Sequence, residues 1–241
     1  MSNPYKIVVS ASDKYLPALG PFAWLMNKYW KPNPEVIVAG FTKPSFKLPD
    51  NFEFVSIGKF EDYPITKWTD ALREFLSDFD DEVFILMLED YWITRAVDTE
   101  AVQILVDYMH QFEYVIKADL CADRLYAHGA DLNYGNAGRL DLIKSMPGSP
   151  YHMSLMTGAW RKSHLMRHLQ PGWTPWDLEI VGTTMLSHDQ DVIVVGCKQW
   201  PVKHTLAFRA NDPGSLLLNE IDPDDVKQMR ALGLLSPWES K

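Results

Sequence analysis

The sequence predicts an α/β fold with a mainly parallel, mixed central sheet flanked by helices, and three observations carry that reading. Short apolar runs alternate with helical patterns through the first half, which is the pattern of successive βαβ units. One run, Val83-Phe-Ile-Leu-Met-Leu88, is apolar without interruption and suits a strand buried on both faces. The chain of 241 residues fits one such domain, because single cores grow to about 250 residues before chains split.

In order, strands are expected at residues 6–10, 36–41, 52–57 and 83–88. Between the third and fourth, Ile65, Trp68, Leu72, Phe75, Leu76 and Phe79 recur at three- and four-residue spacing and predict a helix with one apolar face. After the fourth, Asp98 is placed to cap a helix whose buried stripe is Val102, Leu105, Met109 and Phe112. Residues 114–118 return as strand. From 121 to 150 the pattern breaks around Gly129, Gly135, Gly138, Pro147, Gly148 and Pro150, and an irregular wall of an active site is expected there. Regular structure resumes at 153–157, with a short helix at 163–169. A further helix opens at Thr174, where Pro175 takes the first helical position. The last strands fall at 192–197 and 202–208. Asp222-Pro-Asp-Asp225 then begins a structural helix that stops at Gly233.

Composition is that of a globular protein, 46% hydrophobic and 23% charged. A net charge of −9 argues against a protein that coats nucleic acid, although Arg161, Lys162, His164, Arg167 and His168 make one basic patch in sequence. No apolar run approaches the roughly 18 residues of a membrane span, and the polar first residues run straight into Ile7-Val-Val without a secretory pattern. Cys121 and Cys197 lie in no C-x-x-C pair, so reduced thiols and a cytoplasmic location are expected.

The most informative stretch is the apolar strand that ends abruptly in Glu89-Asp90. Ligands of open α/β sheets bind outside the carboxyl ends of strands, and hard oxygen ligands there suit Mg²⁺ or Mn²⁺. The alternative is that the two acids cap the following turn or pair with a surface cation. With Ser10-Ala-Ser-Asp13 after the first strand, the helix bearing Trp68, Leu88-Glu-Asp-Tyr-Trp92, and Trp176-Asp-Leu-Glu179, the chain resembles GT-A glycosyltransferases, particularly family 2-like members, over roughly residues 5–208.

That resemblance implies a single Rossmann-like domain with a nucleotide-sugar-binding half over about residues 1–120, an acceptor half over about 121–210, and a helical tail. It implies that Ser10, Ser12 and Asp13 line the nucleoside pocket, that Lys67 and Trp68 lie near the nucleotide, and that Asp90 is the direct ligand of a divalent metal while Glu89 holds ribose, water or a basic side chain. Asp13 as a helix cap and Trp68 as a core residue stay open. The acids are adjacent rather than a strict Asp-x-Asp, and some enzymes of this fold work without metal. His204 falls where a third metal ligand is often found, with Lys203 or Arg209 near the diphosphate. Asp177 and Glu179 are candidates for the base that deprotonates an acceptor hydroxyl, Asp177 favoured slightly, although an acid at that place also serves a helix cap. Trp160, Trp173 and Trp176 either stack on a sugar or fill space. His164 and His168 stand one turn apart without the Glu of a zinc-protease motif.

The expected function is transfer of a sugar from a nucleotide diphosphate donor, a UDP-sugar by preference, to a hydroxyl on a polysaccharide, a small molecule or a hydroxymethylated base in viral DNA. The alternatives are a nucleotidyltransferase, against which the loop after the first strand lacks glycine, and a nucleotide-sugar-binding protein of the same fold without turnover.

Overall fold

The computed structural model describes residues 5–121, 131–209 and 212–239. Six strands run in one direction: β1 (Ile7–Ser10), β2 (Val36–Gly40), β3 (Phe52–Ser56), β4 (Val83–Leu88), β6 (Val115–Asp119) and β10 (Ile193–Cys197). A hairpin of β7 (Asp131–Ala137) and β8 (Leu140–Ser145) extends one edge, and β9 (Gly158–Arg161) runs antiparallel between β4 and β6. The nine strands form one mixed sheet in the order β3-β2-β1-β4-β9-β6-β10-β8-β7. A short β5 (Tyr91–Ile93) leaves this sheet and pairs with β11 (His204–Leu206), while β12 (Phe208–Arg209) pairs with β13 (Asp212–Leu216).

Helices cover both faces, so each strand of the centre is buried twice and reads as an apolar run. On one face, α1 (Leu19–Tyr29) and α3 (Thr99–Gln111) pack Phe22, Leu25, Met26, Val102, Leu105 and Met109 against Ile7, Val9, Ile85 and Met87. On the other, α2 (Trp68–Asp78), α4 (Lys162–His168) and α5 (Pro175–His188) pack Leu72, Leu76, Leu165, Leu178 and Leu186 against Val8, Phe84, Leu86 and Trp160. The tail adds α6 (Pro223–Ala231), opened by Asp222, and α7 (Ser236–Glu239), with Met229 and Leu235 in the first core. Among the described residues, no helix is long and apolar enough to cross a membrane.

This is the Rossmann-like α/β architecture the sequence predicted, with three corrections. The stretch 131–145 is a regular hairpin rather than irregular wall: Gly138 at φ 53° makes its turn, and Leu140, Leu142 and Ile143 bury one strand. Gly129 lies outside the described residues. The strand expected at 153–157 begins instead at Gly158, and the preceding residues form a turn and loop. The region 202–208 divides into β11 and β12, on separate two-stranded ladders. Cys121 and Cys197 are both buried thiols rather than a disulfide.

Candidate functional site

The crossovers from β1 through β2 to β3 run one way, and the chain then returns to β4 on the other side of β1. Such a switch point leaves a crevice at the carboxyl ends of the two strands, where open α/β sheets bind ligands. The β1–β4 register ends on Ser10 opposite Leu88, which delivers Ser12 and Glu89 together past that edge. Both the backbone N–H and the hydroxyl of Ser12 donate to Glu89 Oε1 at 2.9 Å.

Glu89 is 5% exposed, and burial together with the neighbouring Asp90 pushes its carboxyl up to about 8. Burial likewise pushes Asp90 up to about 6. The backbone carbonyl of Asp90 accepts from Ala207 N–H at 2.8 Å, which fixes the turn. Its Oδ1 is buried and has no hydrogen-bond partner among the described residues. The β5–β11 ladder holds this turn from behind, anchored by Trp92, which is fully buried against Phe208 and Trp238.

Among the described residues, no three His, Cys, Asp or Glu side chains gather as a metal cage. The donor set still fits Mg²⁺ or Mn²⁺, which are commonly held by one or two carboxylates together with substrate phosphates. Asp90, with an unpartnered buried oxygen, is the residue that would hold such an ion, and Glu89 is committed on one side to Ser12. His204 shares a 3.1 Å hydrogen bond with Thr157 Oγ1 and stacks on Tyr91, ring centroids 4.6 Å apart.

The other residues expected near a nucleotide divide. Trp68 opens α2 and reaches across to donate its indole N–H to Ser10 Oγ at 3.2 Å, while its ring packs on the second core. Lys67 is exposed in the short 3-10 turn before it. Asp13 caps no helix; its two oxygens accept from Thr42 N–H and Oγ at 2.9 and 2.7 Å, tying the loop after β1 to the loop after β2. Tyr15 is an addition that the residue pattern did not single out. Its ring packs 5.2 Å from Phe208, and burial, then the charges of Asp90, Glu89 and Asp212, raise its phenol.

The two candidate bases, Asp177 and Glu179, have different surroundings. Asp177 closes a capping box, its Oδ2 accepting from Thr174 N–H and Oγ1 at 2.9 and 2.7 Å, and those bonds hold its carboxyl below the usual range. Glu179 is 8% exposed and its Oε1 accepts from Leu155 N–H at 2.9 Å. The start of α2 braces the approach to this helix, since Thr69 N–H donates to Trp173 O and Gly172 N–H donates to Asp70. Trp160 is fully buried and fills the core, Trp173 packs partly buried on that core, and Trp176 is exposed.

Two further polar residues stand at this edge. Lys117 and Asp119, on β6, form a fully buried ion pair, Nζ to Oδ1 2.5 Å. The signal in the sequence was a lysine inside an otherwise apolar strand run. His152 nearby is also buried, and burial, with the charges of Lys117 and Lys144, depresses its imidazole to about 4, so it is neutral.

The basic patch lies at the opposite edge and is spent within the protein. Arg161 pairs with Val83 in register and donates to the carbonyls of Val115, Met109 and Phe112. Lys162 donates to Phe79 O, and Arg167 bonds His164 and Asp189. His164 is bonded to Glu113 O, and His168 to the His164 carbonyl, so the pair does not converge on a common ligand. A cavity of about 500 Å³ at this edge is lined by Glu82, Glu113, Arg161, His164 and Asp191. It is remote from the carboxyl ends of β1 and β4.

Sheet and crevice together define a Rossmann-like α/β protein whose buried acids and their partners converge at the switch point. No protein-family model matches the chain, and no curated protein matches it. Among solved structures it is similar to CMP:2-keto-3-deoxy-manno-octonic acid synthetase complexed with CTP, at 17% identity, covering 97% of this chain and 100% of that one, with a TM-score of 0.46. It is also similar to a UDP-glucose pyrophosphorylase complexed with UDP-glucose, at 8% identity, covering 84% and 92%, again with a TM-score of 0.46. At this level neither likeness informs the chemistry of the chain.

Proposed function

We propose that the chain is a nucleotide-sugar-dependent glycosyltransferase, with a UDP-sugar as donor and a hydroxyl group as acceptor. The observation that carries this is the buried Glu89–Asp90 pair at the β1/β4 switch point, with one Asp90 oxygen unpartnered. A buried acid beside a partly buried one, with no cation bonded to either among the described residues, is stabilised by a ligand that brings positive charge. A divalent ion bound with a nucleotide diphosphate supplies that charge and balances the diphosphate as it leaves.

In this reading the Ser10–Ser12 loop and the Trp68 indole frame the nucleoside, and Glu89 keeps the loop after β1 in place through Ser12. Asp90 is the residue that would hold a divalent ion, which would supply positive charge to the diphosphate end of the donor. Glu179 is the preferred base, because Asp177 is occupied as a helix cap and Glu179 is buried beside the loop that leads into β9. Glu179 takes the acceptor hydroxyl proton as the oxygen bonds to the anomeric carbon and the bond from that carbon to the diphosphate breaks.

Nucleotidyl transfer is the second reading, and Lys14 is the feature that favours it: a cation on the loop after β1, 5.1 Å over the Tyr15 ring. Thermal-shift titration with UDP-glucose, with and without Mn²⁺, tests donor and ion together. The product then separates the reactions: free UDP marks sugar transfer, and pyrophosphate from a nucleoside triphosphate marks nucleotidyl transfer. Binding without either product leaves a binding protein, and no stabilisation by any nucleotide-sugar refutes the proposal.

A further inference from the structure

Lys117 and Asp119 lie on one face of a strand with no exposed residue, and both side chains are removed from water. Such a pair adds little to stability, because apolar residues of similar volume serve as well or better in a core. The surroundings nevertheless make room for it. A Cβ on Gly158 would stand 2.7 Å from Lys117 Cε and 3.2 Å from the Ala118 carbonyl, so β9 begins with glycine where the lysine stem passes. Gly158 is also the register partner of Asp119.

The lysine's second bond shows what the pair touches. Its Nζ donates to the Ser154 carbonyl at 2.7 Å. On either side of Ser154, Met153 N–H donates to Thr183 Oγ1 and Leu155 N–H donates to Glu179 Oε1, both at 2.9 Å. Three residues on, Thr157 bonds His204 through its hydroxyl, and its carbonyl accepts from Leu120 N–H at 3.1 Å. The segment 153–157 therefore links the end of β6, α5 and the β5–β11 ladder behind Asp90.

We propose that Lys117 and Asp119 are a positioning pair: they fix segment 153–157 against the carboxyl edge of the sheet and so hold the Glu179 carboxylate in working orientation for the acceptor. Asp119 orients the ammonium group, and the ammonium group anchors the Ser154 carbonyl. The bonds from Ser12 to Glu89 that hold the loop after β1 do not involve the pair. This rests on the reading of Glu179 as the base.

The test uses the full chain and the double variant Lys117→Met/Asp119→Leu, which removes both charges of the pair together. Amide hydrogen exchange is read at Met153 and Leu155, with Val8 and Val9 of β1 as controls, alongside release of UDP from UDP-glucose in the presence of Mn²⁺. Local opening is what exchange reports. Protection at residues 153 and 155 is expected to fall at least about ten-fold while the controls hold, and kcat to fall about ten-fold or more at unchanged KM for UDP-glucose.

Unchanged protection at Leu155, or an unchanged kcat in a chain that turns over, overturns the proposal. Should the double variant not fold, Gly158→Ala presses on the lysine stem without removing a charge. It must loosen the same two amides, and protection equal to the unmodified chain overturns the proposal as well. An unmodified chain that releases no UDP counts against the glycosyltransferase reading alone, because the exchange measurement does not depend on turnover.

Discussion

Replacing Asp90 by Asn is expected to stabilise the protein and abolish its activity, and the stabilisation is expected to depend on pH. Burial raises the Asp90 carboxyl from 3.8 to about 6. A raised acid favours folding while it is protonated and loses that advantage as pH climbs through its folded value. Two units correspond to about 3 kcal/mol at about pH 8, where the folded protein must carry the charge, and to less than about 1 kcal/mol at about pH 4, where it carries a proton. Part of the side chain remains in water, which trims the gain to about 2 kcal/mol. The amide leaves the buried oxygen position as poorly partnered as before, so the difference reports the charge. For a chain of this size about 2 kcal/mol is roughly 4–8 °C in Tm. Melting curves of both proteins at the two pH values measure it, with UDP release from UDP-glucose as the activity assay. A Tm gain equal at both pH values, or a loss at about pH 8, refutes the view that Asp90 is a strained charge awaiting a cation.

Three other outcomes follow from the same geometry. Mn²⁺-dependent binding of UDP is expected to tighten as pH rises through about 6 to 8, because Glu89 and Asp90 must shed protons to meet a cation; calorimetry in two buffers of different ionisation enthalpy detects those protons, and pH-independent binding would contradict it. Glu179→Gln is expected to lower kcat at least about a hundred-fold with little change in KM for the donor, whereas Asp177→Ala removes one half of the capping box, lowers Tm slightly and leaves turnover within a few-fold; the reverse pattern in steady-state kinetics would return the base to Asp177. Fluorescence anisotropy with hydroxymethylated duplex DNA is expected to show no salt-sensitive binding, since Arg161, Lys162 and Arg167 are engaged by carbonyls and by Asp189.

What the sequence revealed, and what it hid, follows from which forces act locally. The run Val83–Leu88 and the stripes of α2 and α3 are legible because burial on one or two faces writes its period into the chain. The helix α1 is masked by Gly20 and Pro21, which look like breakers, yet both fall in its first turn, where proline is tolerated, and the buried Phe22, Leu25 and Met26 decide the outcome. The β7–β8 hairpin is masked by its Gly and Asn content and by the register shift between Asn133 and Gly135. In the site, Glu89 and Asp90 stand out as charge after an apolar run. Glu179 stands out only together with Asp177, because α5 is apolar nearly all round, with Trp176, Ile180, Val181 and Met185 exposed, so no stripe tells which of the two acids faces inward. Lys117 shows in the sequence only as one lysine in an apolar run; the pairing with Asp119 and the bond to the Ser154 carbonyl that make it tolerable at that depth are tertiary and leave no local trace.

The two edges of the sheet handle charge differently, and that contrast is the physical basis for placing chemistry at one of them. At the amino edge the cations are matched one by one: Arg161 by three carbonyls, Lys162 by Phe79 O, Arg167 by Asp189. At the carboxyl edge, among the described residues, Glu89 has the two donors of Ser12 but no cation, Asp90 keeps an unpartnered oxygen, and an ion pair is spent in the core rather than on the surface. The antiparallel β9 sharpens this, since its first residue lies at the same edge as the last residues of β4 and β6. Segment 153–157 is thereby drawn to the end of the sheet, and α5 with Glu179 comes with it. A fold optimised for stability alone would relieve both strains with apolar side chains; one that must receive a cation and a nucleotide keeps the acids bare until the ligand arrives.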